Sequence, residues 1–300
     1  MSRRRDSAPR PSAWTGTGTW DSDPALAALA VASIEMPPVG GLVEDFPAAV
    51  PASVAEGLRS LGIRGVYTHQ KESCALALDG KDVVVATPAS SGKSLAYILP
   101  LLAKLHSRPQ ARALLLFPTK ALGRDQEKSL AAFIRSAGLD APVVTYDGDT
   151  PRGQRGRARG EASVLITNPD MLHASLLPRH PAWSGFFSAL ELIVIDEIHQ
   201  YRGIFGSHVA NVLRRLRRVL GFYGAAPAWI SLSATIGNPL ELTAALTGRP
   251  TILVDRGSAP SPGRTLKVFS TPLLDPATGV RGNYLKLAAR IAALLVRGGA

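Results

Sequence analysis

Seven short apolar runs, each separated from the next by a longer stretch, restrict this 300-residue chain to few folds. The runs are Val83–Ala86, Ala113–Phe117, Pro142–Thr145, Val164–Ile166, Leu192–Ile195, Trp229–Leu232 and Thr251–Val254. Most are apolar at consecutive positions rather than at every second one. A strand with one face in water alternates; a strand covered on both faces does not. Strands of the second kind belong to parallel sheets, and parallel neighbours need long crossovers, usually helices. The segments between these runs carry helical patterns. The expected fold class is therefore α/β, an open and mainly parallel sheet flanked by helices.

The rest of the chain is organised around this block. Residues 1–23 hold Ser, Arg, Pro, Gly and Thr around Trp14 and Trp20, and are expected to be a disordered basic tail. Residues 24–66 are expected to be a helical lead-in. Pro24 stands at a first helical position behind Ser22 or Asp23 as cap, and Leu58 and Leu61 follow Val54 at helical spacing. The α/β block spans 67–254. Residues 255–264, DRGSAPSPGR, read as a linker. Beyond it, Thr265–Ser270 reads as a strand and Asn283–Val296 as a helix. The 36 residues 265–300 are too few for a core of their own, so the truncated start of a second domain is expected there.

Charge and cysteine content narrow the partners. Lys and Arg number 34 against 23 Asp and Glu, a net charge of +11, which favours phosphate-rich partners. The single cysteine, Cys74, excludes an internal disulfide and any zinc site with more than one thiolate; its apolar surroundings mark it as core. The early apolar run Ala25–Ile34 is too short to cross a membrane. Asp21 and Asp23 beside it argue against a signal peptide, so the cytoplasm is the expected location, with no membrane partner. Two basic segments stand out. Residues 152–160 carry four arginines, on a solvated loop or helix face or on a phosphate-contacting loop. Arg214, Arg215, Arg217 and Arg218 lie opposite an apolar helical face of Val209, Val212, Leu213, Leu216 and Leu220, and read as a solvated basic face.

Three segments carry chemistry. Thr87-Pro88-Ala89-Ser90-Ser91-Gly92-Lys93-Ser94 follows the run Val83–Ala86 and precedes a helical pattern. A strand, a loop of small residues and Gly-Lys-Ser opening a helix is the P-loop arrangement: backbone N–H groups cradle phosphates, Lys93 reaches the β- and γ-phosphates, and the Ser94 hydroxyl binds Mg²⁺. Thr87 stands where the pattern has its first glycine, and an ordinary strand–helix turn would look similar. The second segment is Asp196-Glu197-Ile198-His199, at the end of the run Leu192–Ile195. Carboxylates at a strand's C-terminal end sit where α/β sheets bind ligands. Asp196 is placed to hold Mg²⁺ and Glu197 to deprotonate an attacking water. His199 suits coupling better than metal ligation. The third segment is Ser231-Leu232-Ser233-Ala234-Thr235.

Taken in order, these segments resemble the first RecA-like lobe of a superfamily 2 helicase of the DExH type. Pro118-Thr119-Lys120-Ala121-Leu122, followed by Gln126, resembles motif Ia. Tyr67-Thr68-His69-Gln70 resembles the glutamine motif, and Thr167-Asn168-Pro169-Asp170 the motif ahead of the box. Ala86-Thr87-Pro88, Tyr146-Asp147-Gly148-Asp149-Thr150-Pro151 and Asn168-Pro169-Asp170-Met171-Leu172-His173 are similar to the bacterial MrfA-like branch of DNA helicases. Ala89 departs from that branch, which usually has Thr there. The resemblance implies a RecA-like P-loop domain, ATP with Mg²⁺, and 3′→5′ movement on single-stranded DNA in repair. It also implies a second lobe with an arginine finger and a cysteine-bearing C-terminal region, neither of which these residues contain. By the same resemblance Gln70 reads adenine, and Ser233 and Thr235 couple ATP state to lobe closure. Thr119, Lys120, Arg124, Asp147, Thr167 and Asn168 would then line the nucleic-acid path. An RNA substrate is equally compatible with this lobe, because backbone-contacting loops meet the same phosphates. A non-catalytic nucleic-acid-binding module with an incomplete ATP site is the alternative from another class.

Overall fold

The computed structural model describes residues 23–297, in two compact units: residues 40–260, and a smaller unit of residues 23–39 with 261–297. The expected disordered tail lies outside the described residues apart from Asp23. That residue caps α1 (Pro24–Ala27), its carboxylate accepting the Ala25 and Leu26 N–H groups at 2.9 and 3.4 Å. The helix then stops. Residues Ala30–Met36 form a strand, β1, which corrects the expected helical lead-in.

The larger unit begins with α2 (Ala52–Ser60) and α3 (Thr68–Leu78). Strands and helices then alternate: β2 (Val83–Ala86), α4 (Ser94–Ser107), β3 (Arg112–Leu116), α5 (Lys120–Ser136), β4 (Val143–Thr145), α6 (Arg152–Glu161) and β5 (Val164–Thr167). The short α7 (Pro169–Met171) leads through irregular turns to α8 (Ser184–Ser188) and β6 (Leu190–Ile195). The unit closes with α9 (Gly203–Phe222), β7 (Ala228–Ser233), α10 (Pro239–Thr247) and β8 (Ile252–Val254). The seven strands β2 to β8 form one parallel sheet in the order β4-β5-β3-β6-β7-β2-β8, as the continuous apolar runs required.

The sheet divides the core into two clusters by strand alternation. Val83, Val85, Leu115 and Val194 face a cluster that includes α4, whereas Val84, Leu114, Ile193 and Ile195 face one that includes α9. Both faces are apolar because both are covered. Each fully buried Val, Leu or Ile contributes roughly 1.5–3 kcal/mol. Cys74 is buried in the first cluster, and burial pushes its thiol up to about 12. Residues 152–160 are part of a helix, α6, the helical one of the expected alternatives.

Register places the chemistry on one edge. Ala86 pairs with Ser233, Ile195 with Ser231, and Leu116 with both Ile195 and Thr167. The C-terminal ends of β2, β3, β5, β6 and β7 are therefore level, and the segments that follow them emerge together.

In the smaller unit β9 (Arg264–Phe269) pairs antiparallel with β1, from Met36↔Arg264 to Ala30↔Phe269. A hairpin of β10 (Leu273–Asp275) and β11 (Val280–Arg281) and the helix α11 (Tyr284–Arg297) follow. The strand and helix expected beyond residue 264 are present. Residues 24–39 share this unit instead of leading directly into the larger one. Among the described residues no helix is long and apolar enough to cross a membrane.

Candidate functional site

The loop after β2 folds around Lys93. The Lys93 ammonium donates to the Thr87 and Pro88 carbonyls at 2.9 and 3.0 Å, and the Thr87 and Ser91 hydroxyls pair at 2.8 Å. Ser90 and Gly92 have φ of 62° and 76°, in the left-handed region. At Gly92 a Cβ would lie 2.7 Å from Gln70 Nε2, so glycine serves both the backbone angle and the close approach. Ser94 is the first residue of α4, with its hydroxyl at the positive end of a 14-residue helix.

Gln70 is buried, and both ends of its amide are engaged. Its Oε1 accepts the Tyr67 N–H and its Nε2 donates to the Gly92 carbonyl, each at 2.8 Å. Gln70 thereby joins the start of α3 to the phosphate loop, and each end of its amide keeps one further hydrogen-bonding position. His69 is also buried, and neither ring nitrogen has a hydrogen-bond partner. Burial holds its pKa below the usual imidazole range; a nearby Ser91 backbone group opposes this and the charge of Lys93 adds to it.

Asp196 and Glu197 follow β6. Burial pushes the Asp196 carboxyl up to about 6; the Glu197 charge adds to this, and the Glu197 N–H (2.8 Å to Oδ1) and Lys93 oppose it. Burial also lowers the Lys93 pKa, against the pull of Glu197 and Asp196. Glu197 sits at φ 52°, a strained angle for a non-glycine residue that turns its side chain away from the strand direction. Its Oε2 lies 3.1 Å from His199 Nδ1, and that nitrogen is 3.2 Å from the Ala234 N–H. One ring nitrogen thus bridges the Asp-Glu segment and the Ser-Ala-Thr segment. It accepts from Ala234 in one tautomer and donates to Glu197 in the other. Ser233 is buried without a hydroxyl partner, and Thr235 beside it is exposed.

The residues expected on the nucleic-acid path separate into two groups. Thr119, Lys120 and Arg124 are exposed at the start of α5, where the Thr119 hydroxyl caps the helix. Asn168 is half-buried and caps α7, accepting the Met171 N–H at 2.8 Å. Asp147 and Thr167 are buried, which corrects the expectation that they line the path. Thr167 donates to the Tyr146 carbonyl at 2.6 Å, and Asp147 accepts the Asp149 N–H at 2.8 Å. They shape the loop from behind. Asp149, which sequence reasoning does not single out, is the exposed partner of both cations: it meets Lys120 at 2.9 Å and Arg124 at 3.0 Å. Its place two residues after Asp147 is the signal that points to it.

The DEAD/DEAH box helicase family pattern matches residues 67–243, more than half of the chain. The chain belongs to this family. It is 43% identical over 247 residues to the Bacillus subtilis protein described as "Uncharacterized ATP-dependent helicase YprA", covering 82% of this chain and 33% of that protein. It is 40% identical over 221 residues to the ATP-dependent helicase hrq1 of Schizosaccharomyces pombe, covering 72% of this chain and 21% of that one. The solved structure of the DUF1998 helicase MrfA bound to DNA and AMPPNP matches with a TM-score of 0.85 at 40% identity. That match covers 90% of this chain and 37% of the MrfA chain. The fold is that of a RecA-like helicase lobe. The chain spans about a third or less of the length of these two curated relatives.

The donor set fits Mg·ATP. The lysine that reaches into the loop is held by neutral carbonyls, for which anionic phosphate oxygens would substitute stronger charge-assisted bonds. Among the described residues no cluster of three or more His, Cys, Asp or Glu forms a metal cage. One recessed carboxylate, Asp196, and the Ser94 hydroxyl suit an ion that keeps most of its ligands from phosphate and water.

Proposed function

We propose that this chain is the ATP-binding lobe of an ATP-dependent helicase that moves on single-stranded DNA. The observation that carries this reading is the level C-terminal edge. The phosphate loop, the Asp-Glu pair and the Ser-Ala-Thr segment leave adjacent strands β2, β6 and β7. Exposed Thr119, Lys120 and Arg124 leave the neighbouring β3 on the same edge. Lys93 would hold the phosphates of ATP, and Ser94 with Asp196 would hold Mg²⁺. The ion, when bound, neutralises charge that builds on the phosphate oxygens. Glu197 takes the proton of the attacking water. His199, between Glu197 and the Ala234 N–H, passes the state of that carboxylate to Ser233-Ala234-Thr235. Residues 255–264 act as a linker to a second RecA-like lobe begun by residues 265–300. The likeness to the DNA-bound MrfA structure, which extends beyond residue 243, supports this continuation; 3′→5′ movement and a repair role rest on the motif resemblance alone. An arginine from a second lobe is worth roughly 10³–10⁵ in rate for arginine fingers generally, so the chain by itself hydrolyses ATP slowly.

Fluorescence anisotropy with a labelled single-stranded oligonucleotide tests the nucleic-acid half. Contacts to phosphate make log affinity fall with log salt at about 0.7 per phosphate on single strands. The Lys120→Ala/Arg124→Ala variant is expected to lose about 1.4 of that slope. Asp149→Asn, which frees Lys120 and leaves Arg124 only its ion pair with Asp147 at 3.1 Å, is expected to tighten binding. An unaltered slope in the double variant would remove this edge from the nucleic-acid path.

A further inference from the structure

The outer face of α9 carries a second arrangement, away from the edge just described. The 20-residue helix holds four arginines and one histidine and no acidic residue. None of the four guanidiniums pairs with a carboxylate in the described structure. Arg214 donates to Asn211 Oδ1 at 2.9 Å, Arg215 lies 2.7 Å from His173 Nδ1, and Arg217 donates to the Thr247 and Gly248 carbonyls. Arg218 has no hydrogen-bond partner there. Two grooves of about 490 and 470 Å³ flank the helix and share Arg218 as their common wall. The first also takes in Arg214, Arg217 and Pro227, and so opens beside the N-terminal end of β7, opposite the end that carries the phosphate loop. The second takes in Arg215, His180 and Phe222. Phe222 is 75% exposed, one turn beyond Arg218. His180 and Tyr223 meet its ring edge-on at 6.0 and 5.0 Å, which holds the exposed ring in place.

We propose that the α9 face is a second binding site for single-stranded nucleic acid, separate from the path at the C-terminal edge. Guanidiniums without a carboxylate partner along a groove track a sugar–phosphate backbone of any sequence, and a fixed, exposed aromatic ring gives a base a stacking platform. A solvated basic face accounts for the arginines but leaves a largely exposed phenylalanine among them without a role. The absence of acids from the helix sets the sign of the partner: a polyanion with apolar faces, which a single strand is. The site suits a strand other than the one held at Lys120 and Arg124.

Native mass spectrometry and anisotropy with a thymidine oligonucleotide of about ten nucleotides, within the usual span of such grooves, test this on the 300-residue chain. The expected result is two oligonucleotides per chain. Arg214→Gln/Arg218→Gln removes one of them, Lys120→Ala/Arg124→Ala removes the other, and melting temperatures stay unchanged. Phe222→Leu weakens the α9 site about tenfold and Phe222→Trp restores it. One oligonucleotide per chain, lost only in the Lys120/Arg124 variant, would overturn this site and leave the proposed function standing. One oligonucleotide lost only in the Arg214/Arg218 variant would keep this site and overturn the path at Lys120. Binding of two that neither Arg214/Arg218 nor Phe222 substitution affects would also overturn it.

Discussion

Glu197→Gln is expected to lower single-turnover Mg·ATP hydrolysis by on the order of 10²–10⁴ while leaving ATP affinity within a few-fold of the parent. The amide is nearly the same size as the carboxylate and keeps a hydrogen-bond acceptor, but it cannot take a proton from water. The side chain is held off the strand direction by its φ of 52°, so the substitution does not disturb β6. The His199 contact at 3.1 Å changes character, because Gln offers a neutral group where a carboxylate stood. Rapid-quench measurement on parent and variant gives the answer. An unchanged rate would mean that water is activated elsewhere, and Glu197 would lose its place in the mechanism.

The second large effect is a gain in stability. Asp196→Asn is expected to stabilise the nucleotide-free chain at pH 7 by about 3 kcal/mol. The Asp196 carboxyl has its pKa raised from 3.8 to about 6, chiefly by burial, so its ionised form is less favourable folded than unfolded. Each unit of such a shift corresponds to about 1.4 kcal/mol. The sign follows from linkage. Between pH 6 and 4 the folded chain holds a proton on Asp196 that the unfolded chain does not, so this residue costs stability above pH 6 and stops doing so near pH 4. The stability gap between variant and parent in urea titrations should therefore be full at pH 7 and close as the pH falls from 6 to 4. A variant less stable than the parent at pH 7 would contradict the raised pKa. The same variant is expected to lose Mg²⁺-dependent nucleotide binding, which is the reason a destabilising carboxylate is tolerated there.

The strands of the large sheet are legible in the amino-acid sequence because burial on both faces writes itself as unbroken apolar runs, and Val83–Ala86 is β2 residue for residue. The phosphate loop and the Asp-Glu pair are legible because their chemistry is local in sequence. Ala30–Met36 is not. Its apolar residues fit a helix as well as a strand, and the choice is made by a partner, β9, more than 200 residues away. The nucleic-acid residues are misread where burial decides. Asp147 and Thr167 lie inside the loops whose outer surface carries Lys120 and Arg124, and no spacing rule tells the inner polar residue from the outer one. Gln70 has an engaged amide because Gly92, 22 positions on, folds back to meet it.

The central claim is that the Gly92-Lys93-Ser94 loop and Asp196 together form a Mg·ATP site. Isothermal titration of Mg·ATP into the parent chain and into Lys93→Ala tests it most directly. Saturable, Mg²⁺-dependent binding of one nucleotide per chain is expected, lost with Lys93→Ala while the melting temperature without nucleotide is kept. Binding of equal strength in both proteins, or none in the parent at millimolar Mg·ATP, would contradict it.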